Sequence, residues 1–399
     1  MEIILTRQTH QQITVACDGK PSHIFDLLAL FPGKENNLPH PLTDPVTYGQ
    51  AVYQALFPPD TPTRKRLESD PDLILLVTSD EELEAIPWEY AYGPNGFVVL
   101  DYPFVRGLPA LQRIDTPMLD GGLHIVAVPS NPLDKGVPSL DIEGEWVRLK
   151  EVIQEVPRAT ILDRVRPPTL EQLRRLVANQ RNRIVHFMGH GGQQEAGAIL
   201  FFENQHGGVA PTTAKDFTRR VKGTVFLVVL NACVSATPGP TEFSNLAAAL
   251  AQQKAPYVLG MRFSVADDDA RTFSRVLYSE LARGSTVEEA VMQSRLALAD
   301  SNPNPWVVGV PVLYTALKTP AAGFDSTVGT PIINEHQPRM DVGVLTRAEG
   351  AFQGRINELK ELGYHLTGDQ RPSLLTIHGG GGQGKTALAR EAVERFAYA

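Results

Sequence analysis

The chain has 399 residues, 42% hydrophobic and 21% charged, which supplies a sizeable core and a length typical of two or three domains. Its 37 basic and 45 acidic side chains leave a net charge of −8, so no basic surplus favours nucleic acid. Two cysteines exclude a disulfide framework, the start MEIILTRQTHQQ lacks the basic region and apolar core of a secretory leader, and no apolar run nears the ~18 residues of a membrane span. The expected setting is the cytoplasm, with neither a membrane nor a direct nucleic-acid partner.

Residues 1 to about 120 read as short strands and turns, among them EIILTR, QITVACDG, LILLVTSD and GFVVLDYPFVRG, separated by Pro-rich loops. From Leu123 the pattern changes to alternating strands and helices. LHIVAVPS is an apolar strand, and DIEGEWVRLKEVIQEV carries Trp146, Leu149, Val152 and Ile153 on one helical stripe. Strand ATILDRV, helix TLEQLRRLVANQ, strand RIVHFMG, the hairpin-like AILFFE, helix TAKDFTRRV and strand TVFLVVLNA follow. Helix EFSNLAAALAQQ, strand PYVLGMRFSV, two more helices and a closing strand near GVPVLYTAL complete the run. Continuous apolar strands between amphipathic helices indicate an α/β fold with a mainly parallel sheet covered on both faces. Residues 319–350, rich in Pro, Gly and polar side chains, read as a linker. Beyond them AFQGRINELKELGYHL is helical in pattern, and PSLLTIHG reads as a strand entering a loop.

Functional groups in a parallel α/β sheet gather beyond the carboxyl ends of the strands. RIVHFM ends at a glycine corner carrying His190, and TVFLVVLN runs into Cys233. On neighbouring strands, both side chains emerge at one edge. Gly189, Gly191 and Gly192 allow a sharp turn and close backbone approach. A thiol with a pKa of about 8.5 is mostly protonated at neutral pH, and a nearby imidazole, or the amino end of the helix starting near Thr241, raises its reactive fraction. In that arrangement Cys233 attacks, His190 shuttles the proton, and the backbone amides of Gly191 and Cys233 hold the oxyanion. His186, four residues before His190, falls on the strand as a core or supporting residue. Cys17 has no such corner and reads as structural. Asp267, Asp268 and Asp269 suit the first turn of a helix better than a pocket for a basic side chain. No His/Cys cluster has zinc-ligand spacing, so no zinc site is expected, and thiol chemistry of this kind calls for no cofactor.

On VHFMGHGG, LVVLNACVSA, the stretch from NLAAALAQQ to QSRLAL and the upstream AIPWEYAYGPNGFVVLDYPFVRGLP, residues 20 to 318 resemble the CHAT peptidases, caspase-like proteins related to separase. In caspases the His precedes the Cys by roughly 50 residues, which agrees in order and spacing. The resemblance implies a caspase-like fold with His190 as general base and Cys233 as nucleophile, cleaving a protein substrate through a thioacyl intermediate. It divides the chain into an N-terminal non-catalytic part (1–120) and a peptidase domain (121–318). In GMRFSVADDD the chain departs from the Trp that many relatives carry, which bears on the substrate groove and not on the dyad.

Near the end, IHGGGGQGKTALARE matches a P-loop: Gly379, four residues, then Gly384, Lys385 and Thr386. Backbone amides there would cradle phosphates, Lys385 would meet the β- and γ-phosphates, and Thr386 would serve Mg²⁺. FQGRINELKEL resembles the entry of the STAND signalling NTPases, including the NB-ARC and NACHT groups, which implies a nucleotide role for Arg355. Residues 351–399 read as the start of such a domain in a longer protein, with ATP or ADP and Mg²⁺ as cofactors of the complete domain and no hydrolysis from this part alone. By resemblance, such architectures are self-oligomerising effectors of bacterial immunity or programmed cell death whose nucleotide switch controls the peptidase. The alternative is a catalytically silent CHAT-like adaptor in an NTPase signalling protein, which has no need of an intact His190 and Cys233.

Overall fold

The computed structural model describes residues 1–32, 37–119, 121–178, 181–195, 197–231, 243–335, 352, 354–369, 371–372 and 374–396; for Asn231, Phe243 and Ser244 it describes the backbone alone. The chain opens with an antiparallel meander of β1 (Glu2–Arg7), β2 (Gln12–Cys17) and β3 (Lys20–Asp26). Ile3, Leu5, Ile13 and Val15 are buried at every second position, the period of a half-covered sheet.

Two helices, α1 (Pro45–Leu56) and α2 (Pro62–Glu68), then appear where the sequence pattern suggested strands and turns. Each begins with Pro in its first turn and a side-chain cap, Asp44 accepting from the Thr47 amide and Thr61 from the Arg64 amide. These start signals outweigh the loop-like composition around them. Next come β4 (Ile74–Val77), α3 (Glu81–Ala85), the short pair β5 (Tyr92–Gly93) and β6 (Gly96–Phe97), α4 (Val98–Asp101) and β7 (Phe104–Gly107). The Pro-Trp-Glu segment is an anchor: Trp88 donates its indole N–H to the Leu83 carbonyl at 2.7 Å. Glu89, fully buried, takes two 2.7 Å hydrogen bonds from the Arg106 guanidinium on β7. A buried pair of this geometry is bidentate, and losing either partner strands a charge in the core.

The alternating region contains β8 (His124–Pro129), α5 (Ile142–Gln154), β9 (Ile161–Arg164), α6 (Leu170–Val177) and β10 (Arg183–Met188). A three-stranded flap of β11 (Gly191–Gln194), β12 (Gly197–Glu203) and β13 (Val209–Thr213) precedes α7 (Ala214–Val221) and β14 (Val225–Asn231). Then follow α8 (Phe243–Gln252), β15 (Tyr257–Met261), α9 (Asp267–Arg283), α10 (Val287–Ser301), β16 (Pro311–Thr315) and β17 (Ile332–Asn334). Two helices close the described chain, α11 (Ile356–Thr367) and α12 (Lys385–Phe396).

The main sheet has twelve strands in the order β17-β9-β8-β10-β14-β15-β16-β7-β4-β1-β2-β3. It is antiparallel at β1–β2, β2–β3 and β15–β16, and parallel at its other pairings. The mixed α/β class with a large, mainly parallel sheet between helices is the one the sequence pattern points to. Along β10 the faces split: Ile184 and Met188 pack with Trp146, Leu149, Phe273 and Leu277 of α5 and α9, while Val185 and Phe187 pack with Leu173, Phe217 and Leu246 of α6, α7 and α8. Trp146 is 2% exposed, and truncating it to alanine is expected to cost about 3–5 kcal/mol.

Two features depart from the sequence reading. Within residues 319–350, Ala321, Phe324 and Ser326 are buried, and β17 adds a strand beside β9, so the first half of that stretch belongs to the body. The expected strand before the P-loop is absent: among the described residues of PSLLTIHG none is in a ladder, because no neighbouring strand is there to take its backbone hydrogen bonds.

Candidate functional site

β10 lies between β8 and β14, parallel to both, with Met188 beside Pro129 on one side and Asn231 on the other. Its ladder ends at Ser130, whose amide donates to the Met188 carbonyl at 2.8 Å. Gly189 turns the chain there. A Cβ at this position would sit 2.8 Å from the Ser130 carbonyl oxygen, so close approach of β8 demands glycine. His190 follows and is half-buried against the flap, where its carbonyl accepts from the Phe201 amide at 3.0 Å.

The imidazole is oriented by a backbone atom. His190 Nε2 lies 2.7 Å from the Pro138 carbonyl oxygen, on the loop between β8 and α5. A carbonyl only accepts, so Nε2 carries the proton and the neutral ring keeps its lone pair on Nδ1. Burial pushes the His190 pKa down, and the Pro138 carbonyl offsets part of that. The result at neutral pH is an uncharged imidazole with one nitrogen fixed and the other available as a base. This third group is the piece that sequence reasoning missed, since a main-chain carbonyl leaves no residue-type signature.

Cys233 lies outside the described residues, as does Thr241; the helix expected from that point is described from Phe243 onward. Of the backbone donors proposed for the oxyanion, Gly191 opens β11 and pairs with Leu200. Cys17 is 5% exposed at the end of β2, and burial first, then the neighbouring Asp18, raise its pKa. That thiol is a packed core group.

His186 points to the other side of the sheet from the flap. It is 2% exposed and partnered by the Tyr278 hydroxyl on α9, 2.5 Å from Nδ1, and burial drives its pKa down to about 4. It supports the packing of α9 through Tyr278. Beside it opens a cleft of about 380 Å³, open mouth included, lined by Glu145, Arg148, Met188, Asp267, Arg271 and Ser274 among others. Glu145 is 5% exposed with its Oε2 unpartnered, and burial raises its pKa to about 8. Helical spacing concealed it: Glu145 sits beside the apolar stripe, where a carboxylate is expected to reach water. Asp267, Asp268 and Asp269 open α9, as the charge pattern suggested, and Asp269 accepts both of its bonds from Asn302 Nδ2, at 2.8 and 2.9 Å.

The second corner is built locally. Gly382 and Gly384 both have φ +73°, the left-handed region that glycine adopts without strain. Lys385 opens α12 and folds back, its Nζ donating to the Gly379 carbonyl at 2.9 Å and the Gly380 carbonyl at 2.6 Å. Arg355, in the left-handed turn before α11, donates from Nη2 to the Gln383 carbonyl, so residues 28 apart in sequence meet at this loop. Positive-φ glycines, a helix amino end and a lysine lying over the loop fit a phosphate group. Thr386 occupies the first turn of α12. Among the described residues no group of three His, Cys, Asp or Glu side chains is placed to hold a metal ion, and no helix is long and apolar enough to cross a membrane.

Among solved structures, that of the Saccharomyces cerevisiae separase–securin complex is similar over 63% of this chain and 16% of that one, at 17% identity and a TM-score of 0.37. Caspase-1 from Spodoptera frugiperda is similar over 55% of this chain and 93% of its own, at 10% identity and a TM-score of 0.31. This chain thus spans about a sixth of the separase chain it matches. No curated protein matches it in sequence. The family model for the CHAT domain matches residues 46–340, from α1 through both strands of the candidate site and past β17, and the chain belongs to the CHAT domain family.

Proposed function

We propose that this chain is a cysteine endopeptidase in which His190 is the general base and Cys233 the nucleophile. The observation that carries the reading is the His190 corner: an uncharged imidazole, its Nε2 committed to the Pro138 carbonyl, at the carboxyl end of a strand paired with the strand that leads to Cys233. Met188 and Asn231 are register partners, and His190 and Cys233 each stand two residues beyond them. Neighbouring parallel strands lie about 4.8 Å apart, a separation that side chains of this size bridge.

The chemistry follows from that tautomer. His190 Nδ1 takes the thiol proton as the Cys233 sulfur attacks the scissile carbonyl carbon, and the charge developing on oxygen meets the Gly191 and Cys233 amides. The imidazolium then gives the same proton to the leaving amine as the C–N bond breaks. Water, deprotonated by Nδ1, hydrolyses the thioester and restores the thiol. A peptide library treated with the full chain and analysed for new amino termini tests this. Cleavage that disappears in both Cys233→Ala and His190→Ala supports it, and cleavage that persists in Cys233→Ala removes the nucleophile.

The carboxyl-terminal segment reads as a nucleotide-phosphate site in which the Gly379–Gly384 backbone, Lys385 and Arg355 hold the phosphates and Thr386 serves Mg²⁺. Bound nucleotide supplies a charge-dependent switch rather than a step of peptide cleavage. An effector role in bacterial immunity or cell death, with self-association of a longer protein, is the setting we infer from the STAND-like pattern.

A further inference from the structure

The loop that presents the Pro138 carbonyl is closed by one side chain. Asn131 Nδ2 donates to the Leu140 carbonyl at 3.0 Å, and its Oδ1 accepts from the Leu140 amide at 3.2 Å. This paired bond ties the two ends of the 131–140 loop, with Pro138 two residues from the closure. The main chain of Asn131 is held as well. Its amide donates to buried Glu203 on β12 at 2.9 Å, and its carbonyl accepts from Arg395 Nη1 at 2.9 Å. Arg395 belongs to the last turn of α12 and is itself fixed by Glu391, one turn back, at 2.7 Å.

Packing reinforces the same junction. Leu133 of the loop is buried in a cluster with Leu359 and Leu362 of α11 and with Leu388, Ala392 and Phe396 of α12. The Leu133 amide donates to the Gly207 carbonyl at 2.7 Å, and His206 beside it stacks on Tyr364 of α11 with ring centroids 4.5 Å apart. The loop is therefore gripped between the flap and the carboxyl-terminal helices. A helix of twelve residues is about 18 Å long and stiff on that scale. One end of α12 is Lys385 of the glycine loop, and the other holds Asn131.

We propose that Asn131 and Arg395 are positioning residues for the peptidase site: Arg395 on α12 fixes Asn131, Asn131 closes the loop, and the loop holds the Pro138 carbonyl that sets the tautomer of His190. The proposal rests on the dyad reading above and adds the carboxyl-terminal segment to the site's support. Neither residue touches the reacting atoms. Their effect passes through the orientation of one imidazole, and a misplacement of about 1 Å at a catalytic group costs up to roughly 100-fold in rate.

The test uses the 399-residue chain with ¹⁵N-labelled histidine, the His190 ring signals being assigned by their loss in His190→Ala. Wild type is expected to show a single Nε2–H tautomer. In Asn131→Ala and Arg395→Ala the two ring nitrogen shifts are expected to converge as the tautomers mix, with Arg395→Lys, which keeps a donor, restoring most of the separation. In parallel, alkylation of Cys233 by iodoacetamide at neutral pH, followed by peptide mass spectrometry, should fall about tenfold in the two alanine variants. Cys17 should stay protected, reporting an intact fold. If Asn131→Ala does not fold, the Arg395→Ala and Arg395→Lys pair decides. Ring signals unchanged in the alanine variants overturn the positioning proposal while leaving the dyad standing. Alkylation of Cys233 that is the same in wild type and His190→Ala overturns the dyad reading and the proposal with it.

Discussion

His190 and Lys385 stand at two glycine-marked corners that the chain builds by opposite means. The His190 corner is a tertiary product: β8 forces glycine at 189, β14 sets the register, the flap half-buries the ring, and a loop about fifty residues upstream supplies the carbonyl on Nε2. The Lys385 corner is built mainly from its own neighbourhood, with Arg355 reaching in to the Gln383 carbonyl. Its glycines, the helix amino end and two loop carbonyls fix the lysine without a strand in front. The corner proposed for proton transfer depends on distant elements to fix one nitrogen, whereas the loop proposed to cradle phosphate draws mainly on its own backbone. α12 joins the two.

The sharpest way to break the comparison is to remove the reacting groups themselves. His190→Ala and Cys233→Ala are each expected to lower peptide cleavage about 10³-fold or more, with the double variant little worse, because groups acting as a unit are not additive. Equal, additive losses would mean that the two residues serve different sites.

Next in size is the cleft behind the corner, where two buried groups pull stability in opposite directions with pH. The Glu145 carboxyl titrates near 8 when folded, against about 4.5 in the unfolded chain, so the folded state holds its proton through that window and stability falls as pH rises across it. His186 is depressed to about 4 from 6.5, so the unfolded chain binds the proton first and stability falls as pH drops from about 6.5 to 4. Over the full titration the Glu145 effect is at most about 5 kcal/mol and the His186 effect at most about 3 kcal/mol. Denaturant melts at pH 5 and pH 8 are expected to show Glu145→Gln gaining stability over wild type at pH 8 and little at pH 5. A wild-type gain in stability between pH 5 and 8 that Glu145→Gln leaves unchanged would contradict the buried, uncharged carboxyl.

Smaller again is the turn. Gly189→Ala brings a Cβ to 2.8 Å from the Ser130 carbonyl, a backbone atom that cannot step aside, and is expected to cost about 1–3 kcal/mol in thermal or denaturant unfolding. A neutral result would mean that β8 and β10 do not meet so closely. At the other corner, Lys385→Ala is expected to weaken binding of a fluorescent ATP analogue about tenfold or more, read by titration. Equal binding by wild type and variant would take the phosphate role away from that loop.

Much of this was legible in the sequence, and for identifiable reasons. Continuous apolar strands between striped helices announced the parallel sheet, and the glycines around His190 and before Lys385 marked both turns. What stayed hidden belongs to tertiary structure. Pro138 acts through its backbone oxygen, Glu145 is buried although its helix seemed to offer it water, and Asn131 closes a loop whose composition reads as an ordinary turn. The strand expected before Lys385 failed for the converse reason: an apolar run becomes a strand only where a neighbour takes its hydrogen bonds. His186 and His190 are an even four residues apart, which strand alternation would put on one face. The strand ends at Met188, and the turn at Gly189 sends His190 to the Pro138 carbonyl while His186 stays packed against Tyr278.

The central claim is that His190 and Cys233 form one site with the Pro138 carbonyl as third member. A crystal structure of the chain with Cys233 alkylated by a small electrophile tests it most directly. The account predicts His190 Nε2 on the Pro138 carbonyl and Nδ1 facing the Cys233 sulfur within side-chain reach. A sulfur on the far face of the sheet, or beyond any rotamer of His190, would contradict it.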